Sequence, residues 1–578
     1  MSKTNTNVTE NLRKQIELAV KAAMNKGQLP AGELPSFVIE EPADRSHGDI
    51  ATNVAMAGAR VFRMAPVKAA QIILENLDLE NSLFEKSEIA GPGFINFFLS
   101  KRYFAEVLRE IEREGDRYGD SDFGKGERVM VEFVSANPTG PMHLGNARGG
   151  ALGDCLAAVM QKAGYEAYRE FYVNDAGNQI EKFAGSLEAR YMQIFDAGFP
   201  FPEDGYQGAD IIERAEQFKE EFGDQYVQAD PADRRKALVD FALPRNIKRM
   251  QDDMSKYKIH FDNWFMESTL HESGAVKAVV DTLREKGLVY EQDGAIWYKN
   301  KEVCTELLLK EGKKQDYIDK LELKDDVLIR SNGNPTYFAA DIAYHKNKFD
   351  RGFEKLIDVW GADHHGHVMR LKGAMTAIGY DGGKLDILLM QLVKLVRDGQ
   401  IVTMSKRTGK AIQLRDLLDE VPVDSARFIF NTREATNQMD FDLDLAIQQD
   451  NQNPVYYVQY AHARICSILR NLESEGVAVR SCTDDELCLL GAPEEAELIH
   501  LLSSFDSEIV AAARDYDPTK VTRYVTAVAT GFHKFYNACR VKCDDEALMQ
   551  ARLSLCMATK TVIKNVLDMF NITCPDRM

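Results

Sequence analysis

The chain has 578 residues, 90 acidic against 71 basic side chains, a formal charge of −19 and an apolar share of 45%. The length allows roughly three to four domains with sizeable cores, no run approaches the ~20 apolar residues of a membrane-spanning helix, and nine scattered cysteines form no C-x-x-C pair. A helical membrane protein and a disulfide scaffold are therefore excluded, whereas a nucleic-acid partner is not, because such binding depends on a local basic face and not on the charge sum.

The N-terminus "MSKTNTNVTENLRKQIELAV" is polar and then amphipathic, without the apolar core of a secretory signal, so a cytoplasmic protein with reduced thiols and no membrane association is expected. Its periodicity predicts a helix with Thr9 as N-cap and Leu12, Ile16, Ala19 and Val20 on one face. "GPGFINFFLS" reads as a turn feeding a strand, and "REGDRYGDSDFGKGE" as a linker closing an N-terminal module of residues 1–120. From Arg128, "RVMVEFV" predicts a buried strand ending at Val134. The loop "SANPTGPMHLGNARGG" follows, then a helix carrying Leu152, Leu156, Val159 and Ala163, with Cys155 read as core packing. Strand, glycine-rich turn and helix open a βαβ unit and imply a parallel sheet.

The charged stretch 200–266 reads as a helical insertion in that sheet domain. Strands are expected again at "VLIRS", "KLIDVWGAD" and "DILLMQLV". "GQIVTMSKRTGKAIQL" is a basic loop, and beyond Asn453 the pattern is almost wholly helical. There is no internal repeat and no low-complexity tract.

A helix start offers unpartnered amides and the positive end of the helix dipole, which suits phosphates. Gly145, Gly149 and Gly150 allow close approach there, and Pro138 and Pro141 stiffen the loop. Neither a Walker loop nor a G-x-G-x-x-G fingerprint is present. His143, held at the helix start, is placed to donate to a phosphate as charge builds. The cationic hook Ser405 to Lys410 would grip a triphosphate from the other side of the crevice. Alone, the first loop reads as a proline–glycine turn and the second as a solvated charge run.

Together these two loops, "HLGN" and "TMSK", resemble the two signatures of class I aminoacyl-tRNA synthetases, H-x-G-H and K-M-S-K. Asn146 stands where the family has its second histidine, and Thr403 where it has its first lysine. Longer matches resemble the arginyl branch of bacterial type: "VEFVSANPTGPMHLGNARGGALGDCLAAVMQKAGY", "EFYVNDAGNQI", "NPTYFAADIAYHKNKF", "VWGADHHGHVMRLKGAM", "FDLDLA" and "NPVYYVQYAHARICSIL". The resemblance implies an α/β Rossmann-like catalytic domain, an N-terminal α+β domain touching the tRNA elbow and a C-terminal all-α anticodon-binding bundle. The expected boundaries are 1–120, 121–398 with the 200–266 insertion, 399–450 for the second-motif loop and connecting helices, and 451–578.

It further implies ATP-dependent joining of L-arginine to tRNA(Arg) by a monomer, through an arginyl-adenylate. Mg²⁺ would come with ATP, and no protein-bound zinc is expected. His143, Asn146 and Lys406 are the implied catalytic residues. Pro138, Gly145, Met404 and Ser405 join them around ATP. Glu132, Ser135, Asn137, Tyr337, Asp341, Asp363 and His364 are implied around arginine. A carboxylate with a second oxygen acceptor suits the five-donor guanidinium fork, and Tyr337 and Asp341 share a face if their segment is helical. On the residues alone, Glu132 reads equally as an ion-pair partner, Asp341 as a helix N-cap and Tyr337 as a core aromatic. Tyr456, Tyr457, Tyr460 and Arg464 are expected where unstacked bases dock, and equally several of these aromatics are expected in the core, since a helical bundle buries one stripe. A class I enzyme for another amino acid, or a tRNA-binding paralogue without activity, are the competing readings.

Overall fold

The apolar run after Arg128 forms the central strand of a five-stranded, all-parallel sheet in a computed structural model that describes residues 3–42, 44, 47–79, 82–402 and 412–578. Its strands are β1 (Arg128–Glu132), β2 (Glu166–Val173), β3 (Asn263–Met266), β4 (Lys355–Gly361) and β5 (Leu385–Met390), ordered β5-β4-β1-β2-β3. Strand order reverses between β1 and β4, and such a reversal opens a crevice beyond the strand ends.

Both faces of this sheet are covered, which is why the middle of β1 reads as an unbroken apolar run. On one face Val129 and Val131 pack with Ala151 and Cys155 of helix α1 (Leu144–Lys162). Gly153 of α1 lies so close to β1 that an added Cβ would stand 2.2 Å from the Phe133 ring. On the other face Met130 and Leu356 pack with helices α3 (Tyr337–Asp350) and α4 (His365–Ile378). Helix α2 (Pro231–Lys256) belongs to the insertion between β2 and β3.

Three sequence expectations change. The N-terminal helix begins at Lys3, so Thr9 lies inside it and cannot cap it, although Leu12, Ile16, Ala19 and Val20 are buried as a stripe. The insertion stops before Asn263, because Asn263–Met266 is the edge strand of the parallel sheet. "VLIRS" contributes its first three residues to strand Asp326–Ile329 of a separate three-stranded antiparallel sheet, and the apolar run "DILLMQLV" is divided between β5 and a strand of another sheet, Val393–Arg397.

A four-stranded antiparallel sheet and flanking helices precede the parallel sheet in the chain, and helices from Pro454–Ser474 to Glu546–Met569 follow it. The helical bundle is anchored to α1 through Arg427, which is fully buried and donates to Asp154, to the Phe570 carbonyl (2.7 Å) and to the Tyr257 carbonyl (3.2 Å). Among the described residues no helix is long and apolar enough to cross a membrane.

Candidate active site

At the carboxyl end of β1 the chain turns sharply. The Ser135 amide donates back to the Phe133 carbonyl (3.0 Å), and Val134 and Ser135 both take positive φ, 70° and 41°. A β-branched residue in that region is strained by about 1–3 kcal/mol. The strand therefore ends at Glu132, not at Val134. The turn carries the Ser135 hydroxyl back to Glu132 Oε1 (2.8 Å), where it also accepts the Tyr172 amide (3.2 Å).

The loop then runs into α1 through a capping box. The Gly145 amide donates to His143 Nδ1 (3.2 Å), and the His143 amide donates to Asn146 Oδ1 (2.9 Å). An accepting Nδ1 puts the imidazole proton on Nε2, the nitrogen left to donate to a ligand. Burial pushes the His143 pKa below its ordinary 6.5, which favours this neutral form. Asn146, the departure from the family motif, closes the cap with its oxygen and keeps its Nδ2 as a donor. Asn246 of α2 braces the loop by donating to the Pro138 carbonyl (2.9 Å). Beyond the second signature, Gln413 bridges to His143 and the Leu414 amide donates to the Met142 carbonyl (2.9 Å). Thr403 to Ala411, with Met404, Ser405, Lys406 and Lys410, lie outside the described residues.

A cavity of about 790 Å³ opens above β1 and β4. Of the expected residues, Glu132, Ser135, Asn137, His143, Asn146, Tyr337, Asp341 and His364 line it, and Tyr172, Trp360, His367 and Arg370 join them. Pro138, Gly145 and Asp363 do not line it; the Asp363 side chain is 82% exposed and pairs loosely with His364 at 3.6 Å.

Helix α3 organises the cavity wall and the floor beneath it. Thr336 caps α3, its hydroxyl donating to the Val327 carbonyl (2.7 Å), so Asp341 is not the cap. Tyr337, Asp341, Tyr344, Lys348 and Arg351 recur at intervals of four and three, which aligns them on one face. The sheet presents Glu170, Glu132 and Asp358 side by side in register. Arg351 clasps Glu170 with two bonds (2.6 and 2.7 Å), and the Tyr344 hydroxyl adds a third (2.8 Å). Lys348, fully buried, donates to Glu132 Oε2 (2.5 Å) and Asp358 Oδ1 (2.8 Å). His345 Nε2 meets Asp358 Oδ2 at 2.6 Å.

Burial would raise the Asp358 pKa, but Lys348 and His345 outweigh it and bring it from 3.8 to about 2. For Glu132 burial prevails, with Asp358 adding to it, and its pKa is raised despite Lys348. Of the stripe, Tyr337, Asp341 and Tyr344 line the cavity, and among the described residues the first two have no carboxylate of the sheet as a hydrogen-bond partner. Tyr337 is 43% exposed, and Asp341 Oδ2 accepts from His367 Nε2 (2.8 Å) while Oδ1 has no protein partner among the described residues.

Two groups of three side chains stand close enough to share a metal ion among the described residues. Glu132, His345 and Asp358 already surround the Lys348 ammonium, which supplies the cation such a site would hold. In the other, Cys466 donates to Asp576 (3.2 Å), and His462 Nδ1 lies 3.0 Å from the Pro575 carbonyl. In the helical bundle the Arg464 guanidinium lies 4.3 Å from the Tyr536 ring centre and 5.8 Å from that of Tyr460.

Sequence reasoning missed Lys348, His345, Asp358, His367 and Arg370. One signal was available: Asp358 interrupts the apolar run of "KLIDVWG", and a charge inside a buried strand demands a partner.

Comparison with known proteins places these features together in one class. Family models match for "Arginyl tRNA synthetase N terminal domain" over residues 10–99, "tRNA synthetases class I (R), catalytic domain" over 109–465 and "DALR anticodon binding domain" over 458–578. A curated arginine–tRNA ligase of Acetivibrio thermocellus is 51% identical over 99% of this chain and 100% of its own length. One of Caldanaerobacter subterraneus subsp. tengcongensis is 52% identical, covering 99% and 100%. The solved arginyl-tRNA synthetase of Thermus thermophilus has the same fold, with a TM-score of 0.70 at 22% identity over 98% of this chain and 100% of that one.

Proposed function

The chain belongs to the arginyl-tRNA synthetase family and is an arginine–tRNA ligase, and we propose that it forms the adenylate in the cavity between α3 and the start of α1. Arginine lies with its guanidinium on Asp341 and Tyr337 and its α-amino end toward Ser135 and Asn137. The observation that carries this reading is Asp341: a carboxylate on the cavity wall with one oxygen held and the other open. A planar cation with paired N–H donors is the ligand such a group favours.

Glu132 acts one step removed. Both its oxygens are engaged, so it holds Ser135 in place and does not meet the ligand's charge. Asp363 drops out of the set, and His364 stays as a wall of the cavity.

ATP lies along the start of α1. The carboxylate oxygen of arginine attacks the α-phosphorus, a P–O bond forms, and the bond to the β-phosphate bridging oxygen breaks with release of pyrophosphate. His143 Nε2–H and Asn146 Nδ2 donate to the phosphate oxygens as negative charge builds. Lys406 neutralises the departing pyrophosphate; support for this comes from its match to the second signature, and from Gln413, seven residues further along the chain, which bridges to His143. The 3′-terminal adenosine of tRNA(Arg) then takes the arginyl group, and AMP leaves. Mg²⁺ would be held mainly by the phosphates of ATP, where it would screen their charge. The aromatic and cationic surface around Tyr460, Tyr536 and Arg464 supports the C-terminal bundle as the anticodon reader. A cytoplasmic monomer completes the reading.

Pyrophosphate–ATP exchange with each amino acid, with and without tRNA(Arg), tests it. Exchange stimulated by arginine alone among the amino acids is expected; silence with tRNA(Arg) present would refute it.

A further inference from the structure

Asp341 does not stand alone on the cavity wall. His367, in the first turn of α4, holds its Oδ2 through Nε2 at 2.8 Å. One turn on, Arg370 donates from Nε to His367 Nδ1 (2.7 Å) and from Nη1 to Asp326 Oδ1 (2.6 Å). Asp326 opens a strand of the small antiparallel sheet. A guanidinium has no acceptor, so its bond to Nδ1 requires a lone pair there. The imidazole proton must then sit on Nε2, where it is donated to Asp341. The Phe338 and Trp360 rings, centred 5.5 and 5.4 Å from the imidazole, hold its plane.

We infer that His367 is a positioning residue for arginine recognition. It fixes Asp341 by one oxygen and turns the other to the substrate guanidinium, and Arg370 sets its tautomer. This rests on the reading of Asp341 given above. Without Arg370 the imidazole is free to carry its proton on Nδ1, which would set the Nε2 lone pair against an anion. Asp326 has a second consequence. Arg370 lines a cavity that must accept a cation, and its ion pair with Asp326 offsets the repulsion it would otherwise exert.

The test is pyrophosphate–ATP exchange with tRNA(Arg) present, comparing wild type with Asp341→Asn, His367→Ala, His367→Gln and Arg370→Met, each checked for a wild-type melting temperature. His367→Ala and Arg370→Met are expected to raise the KM for arginine by about tenfold or more, with the KM for ATP within about twofold. His367→Gln, whose amide can donate from a similar reach, should recover most of the loss. In the Asp341→Asn background, His367→Ala should add little. A well-folded His367→Ala with an unchanged arginine KM would overturn the inference, as would equal shifts for arginine and ATP or failure of His367→Gln to rescue. If Asp341→Asn itself leaves the arginine KM unchanged, the underlying reading of Asp341 fails instead. If Asp341→Asn raises it and His367→Ala does not, the positioning role alone is lost.

Discussion

Glu132 and Asp341 border the same cavity from different elements, and their surroundings have little in common. Glu132, at the end of a buried strand, has Ser135 on one oxygen and Lys348 on the other. Asp341, one turn into α3, has His367 on one oxygen and the cavity before the other. The cation that neutralises Glu132 is built into the chain, whereas the cation that suits Asp341 must come from outside. A carboxylate near a ligand thus becomes a reader only when the protein leaves it a vacancy; otherwise it is part of the frame. One face of α3 makes both arrangements, with Tyr337 and Asp341 at its open end and Tyr344, Lys348 and Arg351 over the carboxylate row.

If the floor is frame, breaking it should destabilise before it affects recognition. Lys348→Met leaves Glu132 and Asp358 buried without their cation and is expected to lower stability by about 3–5 kcal/mol, seen as an early midpoint in urea unfolding of the catalytic domain. A wild-type midpoint would remove the distinction between floor and wall. Gly153→Ala is a milder attack on the frame alone: its Cβ would meet the Phe133 ring, costing about 1–3 kcal/mol, and KM values for arginine and ATP should move together if they move at all.

Acid titration sharpens the comparison further. The folded pKa of Asp358, about 2, lies below its ordinary 3.8. Its contribution to stability is present above pH ~4 and is lost as pH falls toward 2. Acid unfolding of Asp358→Asn should therefore be flatter than wild type in that window; an identical slope would contradict the network. The smallest effect concerns His143. Its lowered pKa preserves the helix cap below pH 6.5, so the adenylation rate should stay level from pH 7 to below that value before falling. His143→Asn should lose the inflection while retaining a capping side chain.

The strand–loop–helix at Arg128 to Lys162 was legible because each part carries a local signature: an apolar run, glycine and proline, then helical spacing. The shared face of Tyr337 and Asp341 was legible only on the condition that their segment is helical, a condition that α3 meets. Strand order was not, since β1 pairs with β4 across more than two hundred residues of chain and periodicity says nothing about partners. The apolar "VLIRS" was legible as a strand but not as to its sheet, since an apolar run reads alike in either one. The turn at Val134 was hidden because a valine there favours continuing the strand; tertiary contacts of Ser135 override that preference. Lys348 and Arg370 look in sequence like ordinary solvated helix charges, and only three-dimensional proximity to Asp358 and His367 gives them work.

The division between reader and frame is tested most directly by Asp341→Asn, with the arginine KM, the ATP KM and the unfolding midpoint measured on one preparation. The account predicts an arginine KM raised about 100-fold, equivalent to roughly 3 kcal/mol, with ATP affinity and the unfolding midpoint close to wild type. An arginine KM that stays put, or one that rises only in step with a loss of stability, would contradict it.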